Sequence, residues 1–539
     1  MSVFRRILAI TFILFISLAL YQCARRGNPT GGPKDVDPPI LIEAEPENLS
    51  INFTATKIRL HFDEYIKLQD IQNQLIVSPP LKYPPEISPM GGASKYVEII
   101  IKDTLRENTT YTFNFGESIV DNNESNPSTY LTYVFSTGTY IDSLSFTGVV
   151  KDAFNKKADE FISVMLYEID SAYTDSVIYK SPPYYITNTL DSTTIFTLQN
   201  LKAGKYGLIA IKDDGKNNIF DPETDKIGFI KDTIDLPSDS VYVLSLFKEI
   251  PAYSAVTPNF AASNKIIFGY KGPNEKVTIN SLTKLPDTIR TRIAKDPGKD
   301  TLNYWFEPFE IDSIIFEVVN EQLQKRDTFT IKMRKLDPDS LLLDPSHRSS
   351  INFLDTLSIT GNIPITQIDT SMVSIMNKDS LLLPIKMTLD SIRNAVVFDF
   401  DKEPNERYAM TILPGAITDF FNGTNDTIQY RLSTKSYADY GNLRIALAGE
   451  ISYPLILQLT DTNGNLVREI YATEEQSFEF NLLNPASYLL RIIFDDNANN
   501  KWDTGNYLKK IQPERIVYYP QEIEIRANWE LEQVFTISE

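Results

Sequence analysis

From Val36 onward, apolar and polar residues alternate in short runs, and Asp, Asn, Pro or Gly interrupts them about every ten residues. Alternation with period two, bounded by turn formers, predicts strands and an all-β chain. In "KIRLHF", Ile58, Leu60 and Phe62 fall on one face of such a strand, and in "YVEIIIKD" Val97, Ile99 and Ile101 do the same. No window sustains a 3.6-residue period with caps at its ends. A β-sandwich takes about 100 residues. Roughly 500 residues follow residue 36, so a tandem array of about five β-sandwich modules is expected.

The first twenty residues break this pattern. Arg5 and Arg6 precede an apolar run over residues 7–20 that only Thr11 and Ser17 dilute, which is the charge-then-apolar order of a secretory signal. A helix of that run rises about 21 Å, short of the roughly 30 Å hydrocarbon core, so a spanning anchor is the weaker reading. Just behind it stands Cys23, the one cysteine of 539 residues, which has no partner for an intrachain disulfide. "ARRGNPTGGPKDVDPP" is too rich in Gly and Pro to fold and reads as a tether.

Internal repeats place the module boundaries. "FTLQNLKAGKYGLIAIKDDGKNNIFD" (196–221) aligns without a gap to "FEFNLLNPASYLLRIIFDDNANNKWD" (478–503), with ten of 26 positions identical, including Tyr206 with Tyr488 and Asp213 with Asp495. "YTFNFGESIVDNNESNPSTYLTYVFST" from Tyr111 likewise matches "YAMTILPGAITDFFNGTNDTIQYRLST" from Tyr408, pairing Ile119 and Asp121 with Ile417 and Asp419. The expected organisation is a signal peptide at 1–22, a tether at 23–36, and modules at 37–139, 142–248, 249–340, 345–437 and 440–539. The first and fourth modules form one repeated pair and the second and fifth another, strung as a rod.

The first module resembles the bacterial Ig-like domain of the S-layer (SbsA) type, in "DPPILIEAEPENLSI", "IRLHFDEYIKL" and "YTFNFGESIVDNNES", and the fourth is a more degenerate copy. The second and fifth resemble prealbumin-like, carboxypeptidase-regulatory sandwiches through "LKAGKYGLIAIKDD" and "LNPASYLLRIIFDD". Cys23 behind the apolar run resembles a lipobox, in which the thiol is acylated and becomes the first mature residue; Leu20 fits that pattern and Gln22 departs from it. The alternative is cleavage after Ala19 with Cys23 left as a free thiol. "CARRGNPTGGPKD" is similar to the start of Ig-like outer-membrane lipoproteins of Bacteroidota. These resemblances imply sandwich folds and an envelope address, with the membrane as a partner through acylated Cys23. They do not imply an activity, since sandwiches host many functions.

Charge narrows the partners. The chain carries a net charge of −19, and −21 once residues 1–22 with Arg5 and Arg6 are removed. No run of clustered Lys and Arg is present to neutralise phosphate backbones, so no nucleic acid is expected as a partner.

Candidate chemistry is sparse. In "DDNANNKWD", Asp495, Asn497, Asn499 and Asp503 recur at the alternating spacing with which one loop wraps oxygen ligands around calcium, and Asp213, Asn217 and Asp221 are a weaker copy. Asn506 stands where a calcium hand would place its bidentate Glu, and Gly215 replaces the second ligand in the weaker copy. Asn and Asp are equally the residues a tight turn selects, so a structural turn is the competing reading. No other cofactor is implied. His61 and His347 read as surface residues without a nucleophile or a metal-spaced companion, and no carboxylate pair stands out. Tyr304, Trp305 and Phe306 read as sandwich core or strand packing, as do Tyr184 and Tyr185, with a partner or glycan surface as the competing reading.

The expectation is therefore a non-enzymatic, lipid-anchored outer-membrane protein that binds or scaffolds an envelope partner such as a β-barrel assembly or transport complex. A surface adhesin or glycan binder is the alternative, and an outer-membrane hydrolase comes last.

Overall fold

The computed structural model describes residues 34–189, 194–273, 276–296, 299–334 and 336–537. The apolar N-terminal run and Cys23 lie outside the described residues. Among the described residues no helix is long and apolar enough to cross a membrane.

The chain is all-β, a series of paired sheets in which most neighbouring strands are antiparallel. Strand pairing closes within five successive stretches, here sandwiches I to V, whose strands span 41–136, 144–246, 254–332, 343–433 and 441–537. The chain divides into two compact units, residues 1–145 with 199–202 and residues 146–198 with 203–539.

In sandwich I the 12-residue strand Lys57–Leu68 lies between Leu41–Glu45 and Ser94–Ile100, while Ile76–Ser78, Thr110–Asn114 and Thr132–Ser136 form the facing sheet. Leu60 sits opposite Val97 and Ile58 opposite Ile99, so the period-two faces read from the sequence meet as cross-strand pairs. Ile58, Leu60, Val97 and Ile99 are all fully buried.

Sandwich IV repeats the corner that ends this fold. The Tyr111 hydroxyl accepts from the Arg106 amide and the Tyr408 hydroxyl from the Glu403 amide, five residues upstream in both cases. Thr137 Oγ1 accepts from the Thr109 amide, and Thr434 Oγ1 from the Glu406 amide. This is the tyrosine-corner device of Ig-like sandwiches, written twice.

Sandwiches II and V share a second topology. In II the first strand Leu144–Asp152 lies between Ile195–Leu201 and the last strand, Tyr242–Leu246, which runs parallel to it. In V, Gly441–Gly449 lies between Phe478–Leu483 and the parallel last strand Glu530–Ile537. The left-handed backbone positions coincide as well: Asn200, Lys216 and Asn218 in II match Leu482, Ala498 and Asn500 in V, with φ between 52° and 61° throughout. Leu482 adopts this conformation despite a side chain that disfavours it, so the repeat of backbone shape outlasts the change of residue.

The rod expected from the sequence does not describe the second unit, whose four sandwiches form a closed circuit of contacts. Lys271 of III reaches Glu223 of II at 2.6 Å. Arg290 of III donates to the Phe420 carbonyl of IV at 3.1 Å, and Trp305 meets Phe421 edge-on with ring centroids 6.0 Å apart. Asn352 of IV donates to the Leu482 carbonyl of V at 3.0 Å. Sandwich V then returns to sandwich II.

Trp305 also departs from its expected role. Tyr304 and Phe306 belong to the core of III, whereas Trp305, from the opposite face of the same strand, clusters with Ile363 and Phe420 at the junction with IV. Of the pair Tyr184 and Tyr185, the second is fully buried and the first half-buried.

Candidate functional site

The two Asp/Asn loops follow equivalent strands, Gly204–Lys212 and Ala486–Phe494. Asp495 is fully buried; its Oδ1 accepts from the Asn499 amide at 3.0 Å and its Oδ2 from the Asn500 amide at 2.8 Å. In II, Asp213 Oδ2 accepts from the Asn218 amide at 2.6 Å. Burial pushes the Asp213 carboxyl above the usual carboxylate range, against the Asn218 amide, and the nearby Asp225 charge adds to the rise. Asn217 and Asn499 also match, each accepting from the backbone N–H two residues on.

Three of the residues considered for calcium contact one another. The side-chain amides of Asn497 and Asn499 both donate to Asp503 Oδ2, the latter at 2.5 Å. Among the described residues, no group of three or more His, Cys, Asp or Glu side chains is arranged to hold a metal ion.

A carboxylate that the repeat alignment does not reach closes each loop. In II, Asp225 accepts from the Asp214 amide at 3.2 Å and the Asp221 amide at 2.8 Å. In V, Glu514 accepts from the Asp496 amide and the Asp503 amide, both at 2.9 Å. Equivalent positions are 282 residues apart up to Asp221 and Asp503, and 289 apart from Asp225 and Glu514 onward, so sandwich V carries seven extra residues here. The strands after the loops confirm the shift, since Phe229 pairs with Ile209 and Tyr518 with Arg491. Burial raises the Glu514 pKa despite the two amides it accepts from.

The extra residues form a bracket between V and II. Tyr507 is fully buried and donates its backbone amide to Glu249 Oε1, while its ring meets Phe229 edge-on with centroids 5.2 Å apart. Its hydroxyl lies 3.4 Å from that of Tyr173. Lys510 pairs with Asp175 at 2.7 Å and lies 4.1 Å over the Tyr507 ring. Gln512 donates to the Phe229 carbonyl at 2.8 Å and Thr504 to the Lys248 carbonyl at 2.7 Å. Burial holds Glu249 above the ordinary carboxylate range and pushes the Tyr507 phenol far above its own.

A second patch of the seam is aromatic and cationic. Arg491, 3% exposed, lies 4.1 Å over Phe154, whose carbonyl accepts from the Tyr518 hydroxyl at 2.7 Å. Trp502 packs on the same ring with centroids 4.9 Å apart.

His347 is better connected than its loop suggested. Its Nδ1 lies 2.9 Å from Ser346 Oγ and its Nε2 3.2 Å from Asp355 Oδ2. Ser346 Oγ also accepts from the Ser358 amide at 2.9 Å, and Asp355 Oδ2 from the Asn352 amide at 3.2 Å, so the line pins two loop segments of IV together. His61 is half-buried, 5.6 Å from the Tyr96 ring.

Tyr507, Lys510 and Glu514 were missed by the sequence reading. The signal available for them was the end of the ungapped repeat at Asp503, followed by the aromatic and basic run "NYLKK".

A family of bacterial Ig-like domains matches residues 35–137, within sandwich I and its lead-in. No curated protein matches the chain. Among solved structures, the S-layer protein rSbsC(31-844) aligns over 90% of this chain and 67% of its own at 10% identity, TM-score 0.14. SGBP-B of the Bacteroides ovatus mixed-linkage glucan utilization locus, solved with a mixed-linkage heptasaccharide, aligns over 71% and 91% at 12% identity, TM-score 0.17. The BSP domain of a biofilm-associated protein aligns over 88% and 97% at 9% identity, TM-score 0.15.

Proposed function

We propose that the chain is a non-enzymatic cell-envelope protein of the Bacteroidota type, with an SbsA-like first module. Acylated Cys23 holds it to the outer membrane, and it acts as a binding or scaffold subunit of a complex built on an outer-membrane β-barrel. The observation that carries the reading is the bracket at Tyr507: four sandwiches closed into one circuit make a stiff body whose product is surface. A tether to the same leaflet raises the effective concentration of that surface for a membrane neighbour, so a modest interface suffices. Cross-linking and mass spectrometry on native membranes test it. Reproducible cross-links from unit 2 to one β-barrel or its partners are expected; a protein cross-linked only to itself overturns the scaffold reading.

A second reading, a glycan-binding adhesin, is favoured by one feature of sandwich I. Tyr65 and Tyr96 are 57% and 39% exposed, with Lys95 5.5 Å over the first ring and Arg59 5.4 Å over the second. Exposed rings beside polar groups are the chemistry that stacks on sugar faces. Binding on a glycan array that is lost in a Tyr65→Ala, Tyr96→Ala variant would favour it over the scaffold.

A further inference from the structure

The seam between sandwiches II and V encloses a cleft of about 550 Å³, within the roughly 300–1,000 Å³ typical of ligand pockets. One wall is the outward face of the parallel strand pair of II, where Val243 lies opposite Val149 and Ser245 opposite Lys151. The other is the stretch of V that runs from the bracket into strand Ile516–Tyr518. Neither wall alone makes the cleft; it exists because the bracket docks.

Its charge runs against that of the chain. Lys151, Lys156, Lys231 and Arg515 all line it, in a protein of net charge −19. Among the described residues none of the four pairs with a carboxylate. Two of them are held in place by uncharged partners: Lys156 donates to the Tyr519 and Pro520 carbonyls at 3.2 and 2.9 Å, and the Arg515 guanidinium lies 4.0 Å from the centre of the Phe494 ring. The two acids in the lining are already committed. Asp152 pairs with Lys226 at 2.6 Å, and Glu514 gives both oxygens to backbone amides. The four cations outnumber the two committed acids of the lining, and a bound anion redresses that imbalance.

The remaining lining is mixed. Ser245 and Asn155 offer hydroxyl and amide groups, while Val243, Ile516 and Tyr518 offer an apolar and aromatic surface. That combination suits the hydroxyl edges and the flat faces of sugar rings. We infer that this cleft is a binding site for an acidic oligosaccharide of two or three units, its carboxylates or other anionic groups held by Lys151, Lys156, Lys231 and Arg515. The inference is independent of the scaffold reading, since it rests on the lining of the cleft alone.

Isothermal titration of the purified full chain with digalacturonate tests it, with galactobiose as the neutral control and inorganic pyrophosphate as the bare-anion control. Digalacturonate is expected to bind, more weakly as salt rises, and galactobiose to bind far less. Lys151 and Lys231 are both exposed, so the variant Lys151→Glu, Lys231→Glu should keep the wild-type melting temperature and lose about tenfold or more in affinity. No heat with digalacturonate at millimolar concentration overturns the inference, as does equal binding of galactobiose or binding unchanged in the double variant. Pyrophosphate binding as tightly as digalacturonate overturns the saccharide assignment.

Discussion

Asp225 and Glu514 hold the same position in two copies of one fold, each clamping an Asp/Asn loop through two backbone amides, although seven additional residues precede the second. The longer side chain and the longer loop go together: the clamp stays closed while the extra residues leave the sandwich and reach a neighbour. That reach joins sandwich V to sandwich II.

Tyr507 should dominate the stability of this seam. Tyr507→Ala removes a fully buried aromatic ring, and large-to-small changes of this kind cost about 3–5 kcal/mol. Tyr507→Phe removes only the hydroxyl contacts with Tyr173 and Asp175 and should cost about 1 kcal/mol. Denaturant unfolding gives the magnitudes. Hydrogen exchange should locate the loss at residues 151–156 and 226–229 as well as in the bracket itself; protection unchanged in sandwich II would contradict the assignment.

The seam should also be sensitive to pH. Glu249 titrates above its ordinary value because it is buried, so near that raised value the native state holds a proton that the unfolded chain has released. Its contribution to stability therefore falls as pH rises from the unfolded value of about 4.3 through the raised one, and levels off beyond. Glu249→Gln keeps a carbonyl oxygen for the Tyr507 amide and removes the titration. Melting temperatures taken between pH 4.5 and 8 should show the variant gaining on the wild type as pH increases; parallel curves would exclude Glu249 as the source.

For the Asp/Asn loop of sandwich V, Asp495→Ala removes the buried carboxylate that accepts from the Asn499 and Asn500 amides; Asn499 keeps the Asn497 side-chain oxygen at 3.1 Å and Asn500 loses its side-chain acceptor, a loss of about 1–2 kcal/mol. The loss should be the same in chelator and in millimolar calcium, and the wild-type melting temperature should not move with the ion. A rise with calcium that Asp495→Ala abolishes would establish the metal site instead.

Within unit 2, limited proteolysis should be slow at the junctions near residues 248, 342 and 439, because each is flanked by sandwiches held in the circuit. Tyr507→Ala should speed cleavage at all three together. Fragments of about 100 residues released early from the wild type would show that the sandwiches behave as separate beads.

Cys23→Ala should move the protein from the membrane to a soluble exported fraction, because two or more acyl chains make a stable anchor and none makes no anchor. Fractionation followed by immunoblotting reads this directly, and an unchanged outer-membrane level would refute the lipid anchor.

The fold was legible where chemistry is local. Ile58, Leu60 and Phe62 alternate because a strand alternates, and the hairpins of II and V kept enough shared residues to match without a gap. Trp305 was misplaced because a strand buried on both faces leaves no polar alternation to say which residues serve its own core and which serve a neighbour. The bracket was illegible for a different reason: it begins where the two copies stop resembling each other, so the comparison that revealed the repeat ended one residue before it. Lys151 and Arg515, 364 positions apart, share no local pattern, and only the docking of one copy on the other gathers them.

Because only one copy carries the bracket, the contact between the two related sandwiches is directional. Two identical surfaces meeting about a twofold axis would leave each molecule equally ready to pair with itself or with others. Here one copy donates and the other accepts, a heterologous joint of the kind that builds open filaments when donor and acceptor lie on different molecules. The chain fills its own acceptor, and intramolecular closure outcompetes the neighbour at ordinary concentrations. A molecule whose circuit is forced open at the II–V seam would present a free donor and a free acceptor at once, and would join its neighbours head to tail.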